Sequence, residues 1–298
     1  MTSARHGAPS AETFLAAIEL TPAESQHPDL AAQAYLATTQ NCPWPKAYGG
    51  DMVAQATMAA ICSAPVDRRL HSMHSYFLRP VDVGAQIRYE VELLRDGRGY
   101  STRQVRGYCG DKVVYVCLAS FQVPEQGLDY AEPMPTALPD PESLPSSADV
   151  LAGASGPAVD YWSFGRSFDM RHVPGPVYTE VVGEHIAAQA VWLKPFNALP
   201  DSPQVHTAAL AYVCDYTILE PLLRVHGLAW ADAGLVTASL DHAMWFHRPA
   251  RMDDWVLYSQ RAVSAGSNRG LATGYLHDRT GRLMATVLQE GMVRPVQA

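Results

Sequence analysis

The sequence has little charge and no excess of basic residues. Charged side chains make up 17% of the 298 residues, and 30 acidic against 22 basic groups give a formal net charge of -8. Broad nucleic-acid binding requires a basic face, so we expect no nucleic-acid partner. A local basic pocket can override the net charge, which leaves anionic small molecules open as ligands.

Long apolar runs and targeting signals are also missing. No stretch approaches the roughly 20 uninterrupted apolar residues of a membrane span, and the opening "MTSARHGAPSAETF" lacks the apolar core of a secretory signal. The final "VQA" differs from a peroxisomal address of the Ser-Lys-Leu type. The five cysteines are odd in number and include no CxxC pair, which is typical of a reducing compartment. We therefore predict a cytoplasmic protein without a membrane span.

Several catalytic signatures are absent too. There is no Walker loop, dinucleotide fingerprint or G-x-S-x-G elbow. The stretch "SLDH" places Asp241 beside His242, but adjacent strand residues point to opposite faces, so a Ser-His-Asp triad is not favoured. His71 and His74, at i and i+3 on a strand, would not converge on a metal ion. We predict neither a metal nor a cofactor.

The sequence does contain an internal repeat. The motif "HSYFLRP" at 74–80 returns as "HAMWFHRP" at 242–249, and segments rich in Val, Tyr, Leu and Thr follow each copy. Gly-containing turns such as "RDGRG" and "DRTG" divide these segments, so each half is interpreted as three long strands. Short turns favour antiparallel pairing, because parallel strands need crossovers of roughly a dozen residues or more.

A helix is predicted ahead of each strand set. The first, "GGDMVAQATMAAICSA" at 49–64, has Asp51 placed to cap its first turn. The second, "HTAALAYVCDYTILEPLL" at 206–223, should be kinked or ended by Pro221. One helix followed by a meander of strands, made twice, predicts an α+β fold of two units, each with a sheet curled around its helix.

A proline-rich stretch separates the two units. Residues 124–147 contain six prolines, which favour a stiff, extended connector over a folded element. We place the domain boundary there. The predicted organisation is an N-terminal unit at 1–123, a linker at 124–160 and a C-terminal unit at 161–298.

One acidic residue interrupts the apolar face of the second predicted helix. Ala208, Ala211, Asp215, Ile218 and Leu222 recur at spacings of three and four and define one stripe. An ionised carboxylate there is costly unless hydrogen-bond partners or water compensate. Asp215 therefore indicates either a structural hydrogen bond at a partly exposed helix edge or a functional group with polar partners from the sheet.

Such polar partners are present in one repeat only. When the two copies are aligned on Arg-Pro, Ser239 falls opposite Leu70, and Gln289 falls opposite Ala119. A duplicated scaffold that keeps polar groups in one copy and apolar packing in the other favours a functional cluster around the acid.

Five longer motifs carry a resemblance to a known family. The strings "GGDMVAQA", "HSMHSYFLRP", "LRDGRGYSTR", "LDHAMWFHRP" and "LQEGMVR" resemble the acyl-CoA thioesterase II (TesB-type) family, in the same order and over roughly residues 12–294. The resemblance implies a double hotdog, two helix-in-sheet units fused into a pseudo-dimer. It also implies hydrolysis of acyl-CoA thioesters without metal or covalent intermediate. Self-association is expected as well, since curled sheets leave edges and faces to cover.

The resemblance also assigns three catalytic residues. The family's Asp matches Asp215, its Gln matches Gln289, and its Thr falls on Ser239, where this sequence departs from the family pattern. Serine keeps the hydroxyl but loses the methyl group that restrains the rotamer. Thr237, two residues earlier on the same strand face, is the alternative hydroxyl if a bulge shifts the register.

These residues predict hydrolysis by an activated water. Asp215 would accept a proton from the water or hold it, while Ser239 and Gln289 fix its position; backbone N–H groups near a helix N-terminus would bind the oxyanion. Two alternatives stay open. A hotdog enoyl-CoA hydratase or dehydratase would need a His where this chain has Glu220, and a non-catalytic acyl-CoA-binding module would show no turnover. Cationic candidates for the CoA phosphates are Arg79, Arg103, Arg106, Lys112, Arg248 and Arg269.

Overall fold

The computed structural model describes residues 8–295, and its strands form a single antiparallel sheet. Segments rich in β-branched and aromatic residues form the strands, because such side chains pack well on a pleated surface. Thirteen strands lie within the described residues: β1 (Thr21–Ala23), β2 (Gln33–Thr38), β3 (Arg69–Phe77), β4 (Gln86–Asp96), β5 (Tyr100–Cys109), β6 (Lys112–Gln122), β7 (Phe168–Val173), β8 (Ala188–Pro195), β9 (Val236–Ser239), β10 (Asp241–Phe246), β11 (Val256–Gly266), β12 (Arg269–Asp278) and β13 (Leu283–Arg294).

The order of the strands is palindromic. The run β2-β4-β5-β6-β3 of the first repeat is mirrored by β10-β13-β12-β11-β8 of the second, with β1 and β7 at the two ends. β3 and β10 pair at the centre, where Met73 lies opposite Met244. β9 adds a short pairing to β13. The predicted α+β double hotdog is confirmed, and its two halves share one continuous sheet.

Six α-helices lie within the described residues: α1 (Glu12–Ala17), α2 (Gly49–Cys62), α3 (Ser147–Val150), α4 (Pro157–Asp160), α5 (Pro203–Val213) and α6 (Glu220–Val225). α2 packs against both α5 and the first-repeat strands, so most of its residues are buried. One apolar core runs through both repeats and includes Val53, Met73, Ala211 and Met244. None of the helices between residues 8 and 295 is long and apolar enough to cross a bilayer.

Each repeat has more strands than the three predicted. The repeated motif itself is a strand in both halves, as β3 and β10, and β2 and β8 add one further strand to each. The predicted linker 124–160 is not wholly extended, because a 3₁₀ turn at Pro141–Ser143 and the helices α3 and α4 lie in it. The boundaries of the two predicted units stay a prediction, and their residues 1–7 and 296–298 lie outside the described residues.

The second predicted helix is broken earlier than expected. α5 ends at Val213, a turn follows, and α6 begins at Glu220. Pro221 lies in the first turn of α6, where its missing N–H is tolerated, and does not end the helix. Because Pro221 cannot donate to the carbonyl of Thr217, the N–H of Glu220 bonds that carbonyl at 2.8 Å. Asp215 therefore lies in a turn between two helices.

The predicted capping role of Asp51 is wrong. The residue before α2 is Tyr48, and no side chain caps this helix end. Asp51 lies in the first turn and is fully buried. Its carboxylate accepts hydrogen bonds from the backbone N–H of Gln40 at 2.9 Å and from the Gln40 amide at 2.6 Å. Because the Asp51 carboxylate accepts both hydrogen bonds from Gln40, it does not bond the N–H groups of its own helix.

Candidate active site

The structure brings the three predicted site residues into contact. Asp215 Oδ1 accepts hydrogen bonds from Ser239 Oγ at 2.8 Å and from Gln289 Nε2 at 2.7 Å. Gln289 Nε2 also lies 2.9 Å from Ser239 Oγ and donates to it. The turn after α5, the end of β9 and the middle of β13 each supply one member. Because β9 pairs with β13, the hydroxyl and the amide arrive side by side.

Asp215 combines an apolar environment with access to solvent. Burial raises the pKa of the Asp215 carboxyl, while the hydrogen bonds from Gln289 and Ser239 and the backbone N–H of Gly50 oppose that rise. Gln289 is fully buried, whereas Asp215 and Ser239 are half-buried. Asp215 is therefore a partly exposed residue whose carboxylate is more basic than that of a solvated aspartate.

The first repeat contributes the start of α2 to this site. The backbone N–H of Gly50 faces the Asp215 carboxylate and lowers its pKa, and a Cβ on Gly49 would lie 2.5 Å from Asp215 Oδ2. Only glycine permits this approach, because real Cβ atoms do not come so close to another heavy atom. Sequence reasoning assigned no role to these residues. The pair of glycines at a helix start was the available signal, since glycine is otherwise unfavourable in a helix.

The alternative hydroxyl and the alternative triad are not needed. Ser239 itself reaches Asp215, so Thr237 is not required to supply the hydroxyl. Asp241 accepts the backbone N–H of Glu290 at 2.7 Å, while His242 Nδ1 lies 2.6 Å from Gln289 Oε1. The two residues of the "SLDH" stretch thus point to different partners, as the strand geometry predicts.

Other residues considered from the sequence have structural partners. His71 bonds Ser120 Oγ at 2.9 Å. Glu220 is fully buried and accepts from Trp230 Nε1 at 2.9 Å, so it is engaged in packing at the position where a hydratase would need a His. Among residues 8–295, no group of three or more His, Cys, Asp or Glu side chains is placed to hold a metal ion.

The cationic residues considered for binding the CoA phosphates differ in solvent exposure. Arg103 is buried and bonds Asp96 at 2.9 Å and the carbonyl of Ser63, which removes it from the candidates. The others form ion pairs or backbone contacts at the surface or are exposed. Arg106 pairs with Glu92 at 3.0 Å, so this arginine already has a countercharge.

Known proteins share the sequence and the architecture of this chain. Residues 161–292 match the family model for acyl-CoA thioesterase, and residues 38–122 match the model for the acyl-CoA thioesterase N-terminal domain. Acyl-CoA thioesterase 2 of Haemophilus influenzae is 33% identical over 263 residues, covering 86% of this chain and 90% of that protein. The acyl-CoA thioesterase II TesB2 of Mycobacterium marinum superposes with a TM-score of 0.74 at 30% identity, covering 96% and 98% of the two chains. The tesB protein MAP1729c of Mycobacterium avium subs paratuberculosis gives 0.77 at 30% identity over 96% and 100%.

Proposed function

Because this chain belongs to the acyl-CoA thioesterase family and hydrolyses acyl-CoA thioesters, we propose that its nucleophile is a water molecule held at Asp215 by Ser239 and Gln289. The observation that carries the proposal is the convergence of both donors on Asp215 Oδ1 within 2.8 Å. Their bonds orient the carboxylate of Asp215, a residue that is only partly buried.

The proposed reaction needs no covalent intermediate. Asp215 accepts a proton from the water as the oxygen attacks the thioester carbonyl, and its raised basicity favours this transfer. The oxyanion develops near the start of α2, whose positive dipole end would stabilise it. Collapse of the tetrahedral intermediate breaks the C–S bond, and the proton held on Asp215 passes to the leaving thiolate of CoA. The products are the free acid and CoA.

A single-turnover experiment in H₂¹⁸O tests this route. With enzyme in excess over acyl-CoA, direct attack by water places one ¹⁸O in the released acid and none in the protein. Attack by the Asp215 carboxylate, followed by opening at the Asp215 carbon, would instead leave ¹⁸O in the enzyme and unlabelled acid. The released acid and the enzyme are both analysed by mass spectrometry. Finding ¹⁸O on Asp215 would contradict the proposal.

We also propose that the protein acts in the cytoplasm as a homo-oligomer. The odd number of cysteines, without a CxxC pair, supports the location. Exposed Tyr76 and Leu118 on the outer sheet face, at 58% and 49% of their full accessibility, support association through that face. Analytical ultracentrifugation of the full chain would contradict the assembly by giving the monomer mass at all concentrations.

A further inference from the structure

A fully buried histidine lies directly behind the proposed site. His242 is on β10, and the next residue, Ala243, pairs with Leu288 of β13, the neighbour of Gln289. No part of its side chain is exposed. Its Nδ1 lies 2.6 Å from Gln289 Oε1, on the opposite end of the amide from the atom that contacts Asp215. His242 thus touches neither the acid nor the hydroxyl but is hydrogen-bonded to the amide that touches both.

The contacts determine which proton His242 carries and how the amide is oriented. The short contact to Gln289 Oε1 is favourable only if Nδ1 carries the proton, since a bare Nδ1 would direct a lone pair at the carbonyl lone pairs. With Nδ1–H donating, the Gln289 carbonyl faces the histidine and the NH₂ group faces Asp215 and Ser239. The reversed amide would bring its oxygen to 2.7 Å from the carboxylate, where two acceptors repel.

Packing does not explain a histidine at this position. Alignment of the repeats on Arg-Pro puts His242 opposite Met73. Met73 pairs with Ala119, and His242 contacts Gln289, the residue that corresponds to Ala119. Met73 is also fully buried, so an apolar side chain fills the equivalent place in the first repeat. His242 Nε2, in contrast, is buried without a hydrogen-bond partner among the described residues. Leaving such an atom unpaired is unfavourable, which argues that the histidine has a role other than stability.

We propose that His242 is a positioning residue that fixes the amide of Gln289 so that its NH₂ group faces Asp215 and Ser239, the residues that hold the reacting water, throughout turnover. The inference rests on the proposed function. It matters most after Asp215 has taken the proton, because a neutral carboxyl anchors the amide less strongly and the amide can then rotate. Burial lowers the pKa of His242, against the opposing effects of the Gln289 hydrogen bond and the Asp215 charge, so a neutral ring can go on donating to Gln289 once Asp215 is protonated.

Two substitutions distinguish the contribution of the His242 hydrogen bond from the contribution of its side-chain packing. His242→Met installs the residue that the first repeat holds at this place and removes the donor. We expect kcat to fall about 10–100-fold with little change in KM, since small misplacement of a catalytic group costs that much. His242→Asn keeps an N–H donor near the position of Nδ1, and most of kcat should return. An Asn variant as slow as the Met variant would overturn the inference.

A double-mutant cycle tests whether His242 acts through Gln289. In a Gln289→Ala background, His242→Met should cause no further loss of kcat, whereas independent losses would add. If Gln289→Ala itself has wild-type kcat, the proposed function fails; if Gln289→Ala is slow but His242→Met is not, only this inference fails.

The matched control is His277→Met. His277 is also fully buried, bonds the carbonyl of Glu132 at 3.0 Å and has an unpartnered Nδ1, so its loss should lower the melting temperature and leave kcat unchanged.

The protonation state of His242 can also be measured in the wild-type protein, so this test does not depend on how well the variants fold. In ¹⁵N-histidine NMR spectra, the ring of His242 should show a protonated Nδ1 and a bare Nε2 at neutral pH. His242→Asn assigns the resonance by its disappearance. A ring protonated at Nε2 alone would overturn the inference, because Nδ1 could not then donate to Gln289.

Discussion

The two repeats have the same strand arrangement and differ in what fills corresponding positions at its centre. Three inward-facing positions are polar in the second repeat and apolar in the first: Ser239, His242 and Gln289 against Leu70, Met73 and Ala119. All three apolar side chains are buried in the common core. The scaffold therefore does not require polar groups at these positions, and the second repeat has them for a purpose other than folding.

Each repeat has an aspartate in or next to its central helix, and Asp51 is fully buried whereas Asp215 is partly exposed. Burial raises the pKa of both, that of Asp51 to about 7. Both Asp51 oxygens are occupied by Gln40, whose amide also contacts Tyr212 OH. The carboxylate of Asp215 is held through Oδ1 by two strands and is half-buried. A raised pKa alone therefore does not identify the base; the partners of the carboxylate and the exposure of the residue distinguish the two acids.

The largest expected effect distinguishes these two acids directly. Asp215→Asn should lower kcat about 10²–10⁴-fold, because the amide cannot accept the proton of the water. Asp51→Asn serves as the control and should retain most of the activity. Release of free thiol from acyl-CoAs of graded chain length measures both. Equal losses in the two variants would contradict the assignment of different roles to the two repeats.

The next largest effect tests the contribution of the first repeat to the site. Gly49→Ala should lower kcat about 10²-fold, because the new Cβ at 2.5 Å would displace the Asp215 carboxylate. Gly99→Ala, in a first-repeat turn where a Cβ meets no atom within 4 Å, is the control. A Gly49→Ala enzyme with normal thiol release would show that α2 need not approach the acid so closely.

A smaller effect concerns the position where this chain departs from the family pattern. Ser239→Ala removes a hydrogen bond to a carboxylate and should cost about 10–100-fold in kcat. Ser239→Thr should keep the activity, since the hydroxyl is retained. Leu70→Ser, the equivalent position in the first repeat, should lower the free energy of unfolding by about 2–4 kcal/mol and leave the chemistry intact. Steady-state kinetics measures kcat and calorimetry measures the stability of the three variants. A loss of kcat in Leu70→Ser as large as that in Ser239→Ala would contradict the difference between the repeats.

Asp51 is expected to have the smallest effect on activity. Its effect is instead on the free energy of unfolding, and that effect depends on pH. The Asp51 carboxyl titrates near 7 in the folded protein and near 3.8 when unfolded, so the folded state binds more protons between these values. Its contribution is therefore fully present below about pH 4 and is lost as the pH rises toward 7, by an amount on the order of a few kcal/mol. Denaturant unfolding from pH 4 to 8 should show this fall in wild type and a flatter profile in Asp51→Asn. Parallel profiles would contradict it.

Several particular features were predictable from the chain, and others were not. The helix at the start of "GGDMVAQA" and the repeated strands follow from local periodicity and turn residues, and Asp215 was recognised because a carboxylate interrupted an apolar stripe. Its partners Ser239 and Gln289 came from comparing the repeats and from the family resemblance. The break before α6 was missed, because the effect of Pro221 on the preceding turn depends on which N–H donates to the carbonyl of Thr217 in its place.

By itself the sequence determined the duplicated α+β architecture and the residue types that one copy holds in place of apolar packing. These are properties of spacing along the chain, which sterics and burial translate into local structure. Only the tertiary structure decided that Gly49 and Gly50 of one repeat meet Asp215 of the other, that His242 bonds the far end of the Gln289 amide, and that Asp51 is occupied by Gln40. Such contacts join residues distant in sequence, and strand register and helix packing, set by the whole core, bring them within hydrogen-bond range.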